Sequence, residues 1–366
     1  MNSMNAIRRF EPVEYVPSLE RFEIDEGETA ADLARTLVGI SEITSRDHGH
    51  AVRSVHAKGQ GLLKGWFEIR SGLMPEFRQG LFESSDVYPA VIRFSTTPGD
   101  ILDDRVSTPR GMAIKVIGAR GARLDESDSA STQDFLLVNG PQFLAPDAKH
   151  FLKNLKLLAS TTDKAAGLKR ILSSVFRGAE RILEATGGGS GALKSLGGHP
   201  LTQILGETFY TQTPLLYGKY VAKLCMAPLS PNLYALTERT VSLKGRPNGL
   251  REEIVKFFSS NDAEWDVRVQ LCVSVQDMPI EDSSVPWSEE LSPYVSVATL
   301  KVPRQNAWEG EATVKAEDAL AFNPWHCIAA HRPLGSINRV RKTAYAASST
   351  FRSAVNRCPI HEPGTT

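Results

Sequence analysis

The constraint with the widest reach is a series of short β-type runs. Residues 65–70, 90–95, 112–117, 135–138, 217–226, 267–275 and 295–302 are rich in branched and aromatic side chains, and turn clusters such as TTPGD and PLSPN separate them. Several runs lie far from the next, the pattern of an antiparallel sheet that can close into a barrel. Helical periodicity interrupts and flanks them. In 28–41, Ala30, Leu33, Ala34, Leu37, Val38 and Ile40 recur at helical spacing behind Glu28 and Asp32. Further helices are expected at 147–158, 162–185, 317–321 and 337–352. The fold class is therefore α+β, an antiparallel β-barrel with inserted and C-terminal helices. Residues 1–17 read as a flexible arm, 18–353 as a single domain and 354–366 as a tail.

Charge and composition narrow the function. Lys and Arg number 42, as do Asp and Glu, so the chain is no polycation built for nucleic acid. No run approaches the ~20 apolar residues of a membrane span, and the N-terminus lacks the apolar core of a signal peptide, so a cytoplasmic protein is expected. Cys225, Cys272, Cys327 and Cys358 have no CxxC spacing, which indicates neither a zinc site nor a disulfide framework. The tract TGGGSGALKSLGG lacks the GK[ST] ending and the strand-to-helix setting of a phosphate loop, and reads as a surface loop. Lys164, Lys169 and Arg170 read as a solvated helix face, and the five tryptophans as core or interface residues.

Three places could carry chemistry. His56, in RSVHAKGQG, would by itself be a hydrogen-bonded structural residue, but Arg53 precedes it and Lys58 and Gly59 follow, the glycine allowing another group to approach closely. Downstream, Arg93 and Ser95 lie in IRFSTTPGD, and Asn139 follows an apolar strand in LLVNGPQF. An arginine between Ile92 and Phe94 needs an anion, either a structural ion pair or a bound carboxylate. In INRVRKTAYAASSTFR, Arg341 and Tyr345 are four apart on one helix face, with Arg352 seven beyond. Periodicity alone would allow a solvated arginine face with one core tyrosine. His326 and His331, five apart with no carboxylate nearby in sequence, read as structural, and His150 as a channel or surface residue.

RSVHAKG, GWFE, YPAVIRFST, TPRGMAIKV and LLVNGP, in that order, resemble the haem-pocket half of the catalase family. The stretch FNPWHCIAAHRPLGSINRVRKTAYAASSTFR is similar to the proximal helix of the family's short, catalase-related branch, and the resemblance runs from about residue 45 to 352. It implies a catalase-like barrel around a buried haem b. His56 matches the distal histidine, Ser95 the serine that hydrogen-bonds it and Asn139 the distal asparagine. Tyr345 matches the proximal iron ligand and Arg341 the arginine that holds it as tyrosinate. Arg53, Arg93 and Arg352 match the arginines that meet the propionates, while Val55, with Phe143 or Phe151, would pack over the porphyrin. On a regular strand Arg53 and His56 would face opposite sides, so that segment must kink.

The activity implied is a peroxidase that reduces hydrogen peroxide or an organic hydroperoxide through a ferryl intermediate, with a small organic electron donor. Thr108 stands two before Arg110 where large catalases usually carry a channel aspartate, with Asp103 or Asp104 as imperfect substitutes. That departure favours a peroxidase over a fast dedicated catalase. The alternatives are a redox-neutral hydroperoxide isomerase of the allene oxide synthase type, against which Val55 argues because those enzymes carry threonine there, and a haem- or lipid-carrying barrel. A homo-oligomer is expected; NADPH and a flavodoxin-like extension are not.

Overall fold

The computed structural model describes residues 11–124, 131–160 and 200–364; the helix expected at 162–185 and the glycine-rich tract lie outside the described residues. Nine strands appear in chain order: β1 (Lys58–Ile69), β2 (Val87–Thr96), β3 (Arg110–Ile117), β4 (Thr132–Val138), β5 (Phe209–Tyr210), β6 (Leu215–Tyr217), β7 (Tyr220–Pro228), β8 (Ala263–Leu271) and β9 (Val295–Val302). All pairings are antiparallel in the order β5-β4-β3-β2-β1-β9-β8-β7-β6, and β5 also pairs with β7. That last pairing closes an eight-stranded barrel, with β6 a short extension folded onto β7. Each expected β run overlaps a strand, although β8 ends at Leu271 rather than at 275.

The barrel lumen is a packed core. Phe67, Phe94, Phe135, Phe209 and Trp265 are buried and touch, with Phe67–Phe135 centroids 6.1 Å apart and Phe94–Trp265 5.9 Å. Each such side chain contributes roughly 1.5–3 kcal/mol by burial. A lumen filled this way holds no lipid or haem, which removes the carrier-barrel alternative in its simplest form. Alternation then sends the intervening residues outward, so that Arg93 and Ser95 share the outer face of β2 on either side of inward-pointing Phe94.

Helices surround the barrel, α1 (Glu26–His48), α2 (Ala148–Ala159), α3 (Gly249–Phe258), α4 (Glu311–Asp318) and α5 (Ser336–Asn356), of which α3 packs Leu250, Ile254 and Phe258 into the barrel core. Leu33, Leu37 and Ile40 of α1, Ala148 and Leu155 of α2, and Val340 and Ala344 of α5 form a second apolar cluster outside the barrel. Helix α1 is longer than expected and ends at Gly49, which takes the left-handed conformation (φ 65°) that closes a helix without a Cβ penalty. Asp147 caps α2 through the His150 N–H, and His150 itself is an exposed surface residue. Helix α3 was not anticipated, although Leu250, Ile254 and Phe258 recur every fourth residue on its buried side. Helix α4 lies earlier than the expected 317–321.

Both ends of the described chain are tied down. Val13 N–H donates to Cys272 O and Tyr15 N–H to Lys219 O, each at 2.8 Å, so the arm boundary placed at 17 falls within a hydrogen-bonded stretch. At the other end Glu362 enters a buried cluster with Lys115 (2.5 Å) and His326 (3.2 Å). His326 and His331 are structural, as expected. His331 accepts from Leu81 N–H and faces Leu216 O, and burial lowers its pKa to about 4.

Candidate active site

Residues 51–57 join α1 to β1 as irregular backbone, and His56 sits there with φ 51°, a left-handed conformation rare for a non-glycine residue. The required kink is present. It is held by Arg93, whose Nη1 donates to His56 O (3.0 Å) and Nη2 to Ala57 O (3.3 Å). Ser95 Oγ lies 3.2 Å from His56 Nδ1. Across the sheet Ser95 pairs with Gly59 on β1 and Gly111 on β3, a row of three small residues on one face. A Cβ at Gly111 would stand 2.7 Å from His56 Nδ1, so that glycine makes room for the imidazole. Burial, then the charges of Arg93 and Arg341, lower the His56 pKa to about 3 and keep the ring neutral.

At the other end of the row a Cβ on Gly59 would overlap the carboxylate of Glu317, standing 2.8 Å from Oε2. The close approach expected at Gly59 is therefore made by a residue from α4. Arg93 Nε donates to Glu317 Oε1 at 2.6 Å, and Arg53 Nη1 lies 3.7 Å from Oε2. Arg53 also donates to Glu317 O and Leu320 O, and Arg352 to Glu317 O, Asp318 O and Leu320 O. The three arginines matched to propionate ligands thus converge on the C-terminal end of α4, where a helix presents unpaired carbonyls. Burial favours the neutral acid of Glu317, but Arg93 and Arg53 outweigh it and hold the carboxyl below its ordinary range. The Arg53 pKa is also lowered, by burial first and then by the like charges of Arg93 and Arg352.

Charge does not close within this cluster. Arg251 donates to Gly59 O and stacks on Trp308 at 3.7 Å, and Lys58 pairs with Asp104 at 2.7 Å. Among the described residues, five cations (Lys58, Arg53, Arg93, Arg251, Arg352) face three carboxylates (Asp104, Glu317, Asp318), an excess of two positive charges. The donor chemistry and the unbalanced charge suit a dianion such as a pair of propionates.

The tyrosine side is built on α5. Arg341 Nη2 donates to Tyr345 Oη at 2.9 Å and Nη1 to Asn338 Oδ1 at 3.0 Å. Asn338, one turn before Arg341, is itself fixed by donating to Pro214 O and Leu334 O. It is missing from the expected site, though its place on the arginine's helix face could have marked it. Ser54 Oγ lies 2.7 Å from both Ser41 Oγ of α1 and Ser348 Oγ of α5, tying the His56 segment to the tyrosine helix.

Val55 and Phe151 pack together with the helical cluster, and Phe143 meets Phe151 edge to face at 5.1 Å. Asn139 accepts from Arg110 N–H at 2.9 Å, and its NH2 donates to Glu207, which also receives Arg110 Nη1. Thr108 donates to Thr97 O. Asp104 is held by Lys58, Gln60 and Leu250 N–H, and Asp103 pairs with Arg105. The carboxylate beside Asn139 is Glu207, for which no sequence signal exists. A separate cleft of about 280 Å3, lined in part by Arg21, Glu26, Asp147 and Glu281, involves none of these residues.

A closed antiparallel barrel flanked by helices is an architecture that solved structures share. The chain is similar to a fungal catalase (TM-score 0.59, 17% identity, covering 87% of this chain and 65% of that one). It is similar also to catalase A from Saccharomyces cerevisiae (0.59, 17%, 85% and 65%) and to a bacterial catalase (0.58, 16%, 98% and 67%). It spans about two thirds of the length of these proteins. No family model and no curated protein matches the sequence. The chain has the catalase fold.

Proposed function

We propose that the protein is a haem-dependent peroxidase that accepts hydrogen peroxide or an organic hydroperoxide and oxidises a small organic donor. The observation that carries this reading is the excess of two positive charges in the cluster of Lys58, Arg53, Arg93, Arg251 and Arg352, beside His56. Of these, Arg53, Arg93 and Arg352 would hold the propionates of haem b, and Tyr345 Oη, set by Arg341, would supply an oxygen ligand to its iron. When bound, haem supplies the redox-active iron at which the peroxide O–O bond is broken.

The chain's own residues handle protons and position. His56 is neutral at working pH and, in the tautomer whose Nδ1–H donates to Ser95 Oγ, would accept the hydroperoxide proton at Nε2. Its low basicity favours quick return of that proton to the leaving oxygen. Val55, next to His56, and Phe151 both pack against the apolar cluster of α1, α2 and α5 and would help to keep water from a bound haem. Asn139 would donate from its NH2 to the departing oxygen, and Glu207, which now accepts from that group, competes for it. With Glu207 in place of a channel aspartate, the approach differs from that of a fast catalase.

The test is stopped-flow mixing of the haem-loaded protein with hydrogen peroxide and with a fatty-acid hydroperoxide, with and without a reducing donor. Donor-dependent turnover is expected; donor-independent conversion of the lipid hydroperoxide would replace the peroxidase with an isomerase. The reading includes a cytoplasmic homo-oligomer, checked by fractionation and sedimentation. No helix among the described residues is long and apolar enough to cross a membrane.

A further inference from the structure

Resting on the haem reading, we infer that Glu317 is a positioning residue for the cofactor's propionates: it holds Arg53 and Arg93 and sets the net charge of their cluster. The first support is a built seat. Gly59 lies in β1 paired with Ser95 and its φ is not in the left-handed region, so its backbone does not demand glycine. The space a Cβ would take is filled by the Glu317 carboxylate, whose end would have to shift to admit one. Arg251 closes the seat by donating to Gly59 O at 2.7 Å while stacked on Trp308.

The second support is direction. Arg93 spends Nε on Glu317, which leaves Nη1 and Nη2 turned toward the carbonyls of His56 and Ala57. One carboxylate thereby fixes an arginine that also fixes the kink of His56. Arg53 and Arg352 are held by backbone carbonyls of the same helix end, including Glu317 O for both. Three guanidiniums from three distant segments thus reach Glu317, through its carboxylate or its carbonyl, while Leu320 O also holds Arg53 and Arg352 and Asp318 O also holds Arg352.

The third support is charge. With Glu317 ionised the cluster carries an excess of two positive charges, the complement of two propionates; without it the excess is three. Glu317 therefore tunes the seat to a dianion as well as shaping it. A carboxylate that merely filled the seat in the haem-free chain would predict the opposite response to its removal.

The experiment uses the full chain loaded with hemin, and reads haem release to an excess of apomyoglobin together with the hemin titration. Glu317→Gln keeps the volume in the Gly59 seat but removes the charge; release should become about tenfold faster, the scale of one lost charge-assisted hydrogen bond. Glu317→Asp, which keeps the charge at shorter reach, should recover part of the loss. With hemin dimethyl ester, which lacks the propionate charges, wild type and Glu317→Gln should release at equal rates. Slower release or tighter binding by Glu317→Gln would show that the carboxylate competes with a propionate, and equal release of ordinary hemin would show it idle; either overturns the inference. Should Glu317→Gln fail to fold, Gly59→Ala displaces the carboxylate without changing the charge and should also speed release, and unchanged release would overturn the inference. A wild-type chain that retains no hemin would sink the haem reading itself, and this inference with it.

Discussion

Lys115 and Arg93 lie on adjacent strands of the same outer face, and both are buried among charges, with different outcomes. Lys115 meets Asp134 at 2.8 Å and Glu362 at 2.5 Å, and His326 joins the same two carboxylates. There, burial would lower the His326 pKa, but Asp134 and Glu362 outweigh it and push it up to about 9; the same contacts hold Glu362 near 2. With His326 protonated, two cations face two anions and the cluster is complete. Around Arg93 the cations outnumber the carboxylates by two, so the chain pays desolvation without closing the charge. A balanced buried cluster fastens a structure, as this one fastens the C-terminal segment; an unbalanced one would, on the proposed reading, suit an anion from outside the chain.

The largest effect should come from breaking the balanced cluster. Lys115→Met leaves Asp134 and Glu362 facing each other and should cost about 3–5 kcal/mol in urea denaturation of the haem-free protein. The matching change in the other cluster, Arg53→Met, removes a cation that its neighbours already repel, and should change haem-free stability by about 1 kcal/mol or less while haem release speeds up tenfold or more. Equal destabilisation by the two variants would erase the distinction between the clusters.

A smaller effect sharpens the comparison through pH. His326 has a folded pKa of about 9, above its unfolded value, so its stabilisation is fully present below about 6.5 and is lost as pH rises through 9. Glu362 contributes stability above about 4.5 that is lost as pH falls through 2. His56, depressed to about 3, has the opposite sign to His326: between pH 6.5 and 3 the unfolded chain takes up a proton that the folded chain refuses, and stability falls. In melts of the haem-free protein, His326→Gln should flatten the alkaline limb and His56→Gln the acid limb. An acid limb unchanged by His56→Gln would mean that the imidazole is not held neutral.

The two regions also differ in how far the sequence revealed them. Barrel strands were legible because each carries its own alternation, and α1, α2 and α5 because their apolar positions recur every third or fourth residue. Helix α3 went unread behind the PNG turn that precedes it, although its period was present. In the site, His56, Ser95, Arg93, Arg53 and Arg352 were anticipated and come together, as do Arg341 and Tyr345. Of the two readings offered for Arg93, the structure shows the ion pair, made with Glu317. Glu317 and Glu207 escaped because their partners are remote: Arg93 and Glu317 are separated by 224 positions, and Asn139 and Glu207 by 68. No local period encodes such a contact, and only the closing of the barrel under its helices brings the charges together.

The account's central claim is tested most directly by adding hemin to the purified chain and recording the ferric absorption spectrum of wild type and Tyr345→Phe. Arg341 keeps its bond to Asn338 in that variant, so the fold should survive the loss of a single hydroxyl. The account predicts a stoichiometric complex with a phenolate-ligated spectrum in wild type, and loss of that spectrum with weak haem retention in Tyr345→Phe. A wild-type chain that binds no hemin, or a variant with the wild-type spectrum, would contradict it.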